Sequence, residues 1–186
     1  DVAANAKEGN LLDASCESVV IDSIPYTTSI NTAPGNRVIL LANTLLFSPG
    51  DAGSKNYRIP AIITAADGSL VTVTDKRWNH AGDLAAKIDP VVRRSADNGK
   101  TWSEPLVIAN YGAPNGVGDA ALVMDKNTGD LLCLLSADRG FFQSTQADPA
   151  KILVIRSTDN GVSWGTPLDV TNQIYGPNPK WKGLFV

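Results

Sequence analysis

The chain has 186 residues, enough for one domain with a sizeable core. Its 43% hydrophobic and 19% charged residues fit a folded globular protein and exclude a disordered one. The formal net charge of −3 is scattered without a basic stripe, which argues against a nucleic-acid partner, and no apolar run approaches the ~20 residues of a membrane-spanning helix.

The chain opens on Asp1-Val-Ala-Ala-Asn5, without the charged and apolar regions of a signal peptide and without an initiating Met. An internal piece of a longer product is therefore expected. Ser18–Asp22 and Arg37–Leu41 are strand-like, with turn chemistry at Pro34-Gly35-Asn36. Residues 1–42 are read as the tail of a preceding β domain plus a linker, and residues 43–186 as a separate unit. Leu45-Leu-Phe-Ser48 is placed as a strand that closes a ring, and Pro49-Gly50-Asp51 as the turn into the next strand.

From there the chain repeats itself, and repetition decides architecture. Ser95-Ala-Asp-Asn-Gly-Lys-Thr-Trp102 and Ser157-Thr-Asp-Asn-Gly-Val-Ser-Trp164 stand 62 positions apart. In each box, Asp97 or Asp159 accepts hydrogen bonds from nearby backbone N–H groups. Gly99 or Gly161 supplies the positive φ of a tight turn, Ser95 or Ser157 ties in the arriving strand, and Trp102 or Trp164 buries a ring beneath it. These are structural parts.

Upstream, Ala61–Val73 and Leu122–Leu134 share a plan of strand, glycine turn (Gly68, Gly129) and strand. Each unit thus has four antiparallel strands, the signature of a β-propeller blade. Blades are expected from about Arg58 to Ile108 and from about Asp119 to Val170, with a third beginning at Trp181–Val186. The fold class is all-β. The variable loops Arg77–Ile88 and Asp138–Ala150 are where function is expected, and Tyr111–Gly118 and Tyr175–Pro179 are read as inter-blade links. No segment shows helical periodicity. Two blades cannot close a ring, so the chain is expected to be part of a larger propeller.

Chemistry concentrates in the first unit. Pro60 lacks an N–H donor, which suits a strand with one side facing a channel, and Arg58 would point there with a fork fitted to a carboxylate. In Asp75-Lys-Arg-Trp-Asn-His-Ala-Gly-Asp-Leu84, Asp83 would serve as a general acid if desolvation raised its pKa, with His80 as its rival. On residue chemistry alone, Arg58 reads better as the partner of a local acid, and Asp83 and His80 as solvated loop side chains. Cys16 and Cys133 follow no metal or redox spacing, and Cys133 lies in an apolar run; with one histidine, no metal site and no cofactor are expected.

Tyr57-Arg-Ile-Pro60, followed by two such boxes, resembles the exo-sialidases (neuraminidases), whose signature is Tyr/Phe-Arg-Ile-Pro and whose repeated turns are called Asp boxes. The likeness extends over about Leu45–Val186 and is nearest to secreted sialidases of gut bacteria. It implies a six-bladed β-propeller that removes terminal α-linked sialic acid with retention from glycoproteins, glycolipids and oligosaccharides. It also implies a secreted, periplasmic or cell-surface location. In that family three arginines hold the sugar carboxylate, a tyrosine paired with a glutamate is the nucleophile, and an aspartate is the acid/base. Arg58 matches the first arginine and Asp83 the aspartate. Arg77 matches an arginine that stands behind the residues touching the sugar, near its 4-hydroxyl, and Asp119 an aspartate close to the 4-hydroxyl and N-acetyl side.

A tyrosine suits this chemistry because the substrate carries a carboxylate at the anomeric carbon, which would repel an anionic attacker. The other arginines and the Tyr/Glu pair are expected beyond Val186, so the 186 residues alone are expected to show no turnover. A non-catalytic Asp-box propeller that binds glycans or proteins remains the alternative, with a trans-sialidase as a variant of the leading reading. An Asp-box glucan hydrolase would instead need paired carboxylates.

Overall fold

A computed structural model describes residues 44–175 apart from Gln146. The strand-like stretches before residue 43, Cys16, and the third blade expected from Trp181 lie outside those residues. Among the described residues no helix is long and apolar enough to cross a membrane.

Among the described residues eight strands form two four-stranded antiparallel sheets, ordered β1-β2-β3-β4 and β5-β6-β7-β8. The first comprises β1 (Asn56–Thr64), β2 (Leu70–Arg77), β3 (Ile88–Ser95) and the short β4 (Leu106–Val107). The second comprises β5 (Gly116–Met124), β6 (Leu131–Asp138), β7 (Lys151–Ser157) and β8 (Leu168–Asp169). Each sheet is one blade, wound strand by neighbouring strand. The expected all-β plan and the repeat are both present.

The blades pack face to face through one apolar core. Val71, Val73 and Val92 of the first meet Val117, Leu131, Cys133, Leu135, Leu153 and Ile155 of the second. Cys133 is a free, buried thiol whose pKa burial pushes up to about 12. Trp164 packs half-buried against the core, whereas the Trp102 indole donates to the Gly99 carbonyl at 3.0 Å within its own turn.

Both boxes use one network. Ser95 and Ser157 donate to Asp97 and Asp159 at 2.8 Å and accept from the Gly99 and Gly161 amides at 2.8 and 2.9 Å. Each aspartate then accepts from the amide and hydroxyl four residues on, Thr101 or Ser163, which holds the Asp97 carboxyl down at about 2. Positive φ falls on the asparagine as well as the glycine: Asn98 and Gly99 at 59° and 84°, Asn160 and Gly161 at 60° and 83°. Asn-Gly is the dipeptide that tolerates two left-handed residues in succession.

The second box also joins the blades. The Asn160 carbonyl accepts from Arg94 Nε at 2.9 Å, and Arg94 pairs with Asp67 at 2.5 Å. A Cβ on Gly161 would sit 2.7 Å from Val71 Cγ2, whereas one on Gly99 would meet nothing closer than 3.8 Å. Gly161→Ala therefore adds a clash to the φ penalty and is expected to cost about 2–4 kcal/mol, against about 1 kcal/mol for Gly99→Ala. Urea unfolding of the two variants measures the difference, and equal losses would contradict this packing.

The structure adds to three of these readings. Leu45–Ser48 forms no strand, and the final blade it is expected to pair with is not among the described residues; Phe47 stacks on Tyr57 of β1, ring centroids 5.1 Å apart. The Tyr111–Gly118 link ends early, because Gly116–Gly118 already belongs to β5. Gly116 and Gly118 are there for close approach, since added Cβ atoms would fall 2.2 Å from the Ala86 carbonyl and 2.9 Å from the Asp75 carboxylate. Finally, Thr171–Tyr175 forms a helix (α1), too short at five residues to show a period.

Candidate active site

Both blades bend at the same place. β1 is bulged between Arg58 and Ala61, and β5 between Gly118 and Ala121. Within these bulges Ile59 and Asp119 each take φ 55°. A β-branched residue at positive φ is costly and persists only where its surroundings impose it. Pro60 falls inside the first bulge of an edge strand, where its missing N–H breaks no ladder bond. The bulges re-aim Arg58 and Asp119 into an open cleft of about 330 Å³. Asp83 and Leu84 from the β2–β3 loop line it too, with Ser136, Arg139 and Gly140 from the second blade.

Arg58 and Asp83 meet at the cleft. Arg58 Nη1 donates to Asp83 Oδ1 at 3.2 Å and to the Ala81 carbonyl at 2.9 Å, and both side chains remain open to solvent at 44% and 70% exposure. An exposed ion pair of this kind is weak, so Arg58 is free to exchange Asp83 for a ligand.

Arg77 lies behind the cleft surface, in keeping with an arginine that stands behind the residues touching the sugar. It is fully buried, and both of its Nη atoms are bonded to protein. Nη1 donates to Asp83 Oδ1 at 2.7 Å and to the carbonyls of Ala81 and Gly82 at 2.9 and 2.7 Å, while Nη2 donates to Asp75 Oδ2 at 2.9 Å. Alternation along β2 explains this, because Asp75 and Arg77 project to one face two residues apart. Arg77 therefore pins the loop that presents Asp83.

The same contacts set the Asp83 pKa against the rise that a general acid would need. The Arg77 hydrogen bond outweighs desolvation and holds the carboxyl below the usual range, with further lowering from the charges of Arg77 and Arg58. Held between these two arginines, Asp83 is a carboxylate. Asp119 moves the other way, raised chiefly by desolvation. His80 is exposed and is not part of the cleft lining; its Nδ1 accepts from the Gly82 amide at 3.0 Å and shapes the loop. Trp78, in the same loop, lies between the Lys76 and Lys87 ammonium groups, 3.6 and 3.9 Å from its ring centroid.

Asp75 was not singled out in the sequence, where it reads as one acid among several. It has no exposed surface, and besides Arg77 it accepts from the Asp119 amide at 3.0 Å. Burial pushes its pKa up to about 6. A raised folded-state value stabilises the fold fully below the unfolded pKa of 3.8, and that contribution is lost as pH rises through about 6. The raised Asp119 value acts with the same sign. Thermal midpoints are expected to fall between about pH 4.5 and about pH 7.5, with a contribution from Asp75 on the order of 2–3 kcal/mol. Asp75→Asn should flatten that slope, and an unchanged slope would contradict the raised value. No group of three or more His, Cys, Asp or Glu residues suited to a metal ion occurs among the described residues.

No family model matches the chain. Curated relatives do. A sialidase of Bacteroides fragilis (strain YCH46) is 31% identical over 153 residues, 73% of this chain and 28% of the relative. One of Micromonospora viridifaciens is 33% identical over 150 residues, 73% of this chain and 22% of that protein. The chain thus spans roughly a quarter of the length of these relatives. Among solved structures, a Hadza microbial sialidase matches with TM-score 0.63 and 33% identity, over 67% of this chain and 28% of that one. A leech intramolecular trans-sialidase matches with TM-score 0.64 over 72% of this chain and 38% of its own, at 14% identity, a likeness of fold alone.

Proposed function

This chain is related to the bacterial sialidases in sequence and in fold, and from that premise we propose that it carries one wall of a site that releases terminal α-linked sialic acid from glycans. The observation that supports this most is the meeting of Arg58 with Asp83 at the cleft. They come from a bulged strand and from a loop 25 positions on, in the motif context that the resemblance assigns to carboxylate binding and acid catalysis.

The cleft suggests how the two work together. An incoming sugar carboxylate competes for the Arg58 fork and takes it from Asp83. Asp83 then loses one cationic neighbour, gains an anionic one and is covered by substrate. All three changes raise its pKa and favour the protonated form needed to protonate the leaving oxygen. Arg77 stays in place and keeps the carboxyl aimed. Asp119, on the opposite bulge, faces the sugar's hydroxyl and N-acetyl side. In this reading the nucleophile is a tyrosine, the outcome is retention, and the remaining arginines and the Tyr/Glu pair come from outside these 186 residues.

The test is a fluorogenic sialoside assayed with the 186-residue chain and with the whole protein, followed by NMR of the first-formed sialic acid anomer. Turnover by the whole protein alone, with the α anomer released first, is expected. Comparable turnover by the 186 residues would sink the division of the site, and a β anomer would sink retention. Glycan binding without any release would favour a non-catalytic propeller.

A further inference from the structure

Asp75 has no exposed surface, yet it contacts both halves of the candidate site. One oxygen, Oδ2, holds Arg77 Nη2 at 2.9 Å; the other, Oδ1, holds the Asp119 amide at 3.0 Å. Arg77 passes the first contact on, gripping Asp83 Oδ1 at 2.7 Å and two carbonyls of the same loop. The second contact fixes a residue at φ 55°, a conformation that a non-glycine residue adopts at a cost.

The chain makes room for this arrangement. A Cβ on Gly118 would stand 2.9 Å from both Asp75 oxygens, so only glycine lets β5 pass over the carboxylate. At the matching position of the second blade, paired with Gly118 across the ladder, stands Ser136, whose buried hydroxyl has no hydrogen-bond partner among the described residues. The repeat alone therefore does not account for an aspartate here.

We propose that Asp75 is a positioning residue that sets the two candidate site carboxylates, Asp83 and Asp119, from beneath the cleft and so locks the first blade's acid to the second blade's wall. It touches no substrate. It acts through the Arg77 fork on one side and the Asp119 backbone on the other, and the kinetic part of the inference rests on the sialoside-cleaving function proposed above. A buried carboxylate that only packed would need neither the inter-blade contact nor the glycine above it.

The test is a double-mutant cycle in the whole protein with Asp75→Asn, Asp83→Asn and the pair, on an unactivated sialoside, with the Asp83 carboxyl followed by 13C NMR titration. Asp75→Asn should lower kcat by about tenfold or more, with a coupling to Asp83→Asn that leaves less than about a threefold further loss in the double variant. The Asp83 titration midpoint should move. Multiplicative losses with an unmoved midpoint would overturn the inference and leave Asp75 as packing. If the wild type turns over no sialoside but the midpoint moves, the positioning role stands and the proposed function falls. Should Asp75→Asn not fold, Arg77→Lys severs the same fork while keeping its charge, and the same cycle applies.

Discussion

Arg58→Ala in the whole protein is expected to lower kcat/KM for sialosides by about 10²–10⁴. The figure comes from two charge-assisted hydrogen bonds to a carboxylate, together about 3–6 kcal/mol, at 1.36 kcal/mol per factor of ten. Because the sugar carboxylate is present before and during bond cleavage, much of the loss should appear in KM. Arg58→Lys should recover little, since an ammonium cannot reproduce the planar fork. Full activity in Arg58→Ala would remove the arginine from the site and leave it as the local ion-pair partner that residue chemistry alone suggests.

Asp83→Asn carries the second large effect, and its size should depend on the substrate. Protonation of a poor leaving group by a positioned acid is worth about 10²–10⁴, whereas an aryl group with a low pKa departs unaided and should lose less than about tenfold. Equal losses on the two substrates would argue against Asp83 as the acid. The comparison is a demanding one, because Asp83 beside Arg77 and Arg58 is an ionised carboxylate held low. The proposal requires its protonation to come with substrate binding.

The repeat was legible because it is written in turn chemistry. Ser-x-Asp-x-Gly boxes and glycine turns act locally, so their offset alone gave two blades of four strands, and the structure has those two blades. Arg58 and Asp83 were legible as a pair only through the resemblance. Nothing local in Tyr57-Arg-Ile-Pro60 says that a bulge will turn Arg58 toward a loop 25 residues away.

Long-range burial was not legible. Asp75 and Arg77 look like surface charges in Thr74-Asp-Lys-Arg77, but β2 lies inside the packed blades and is covered on both faces. Gly116 and Gly118 looked like linker glycines because the atoms they make room for, the Ala86 carbonyl and the Asp75 carboxylate, are distant in sequence. The condition set for Asp83 as an acid, a pKa raised by desolvation, is not met in the unliganded cleft, because the buried Arg77 guanidinium that lowers it is not visible in the sequence. The left-handed Asn98 and Asn160 could have been found, because Asn-Gly is itself a turn signal.

The central claim is that Arg58 recognises the carboxylate of sialic acid beside Asp83. Its most direct test is the ratio of kcat/KM for an aryl sialoside to that for its carboxylate methyl ester, measured on the wild-type whole protein and on Arg58→Ala. The account predicts a wild-type preference for the free acid that shrinks by about tenfold or more in Arg58→Ala, because a neutral ester cannot engage the fork as a carboxylate does. A ratio unchanged by the substitution would contradict it.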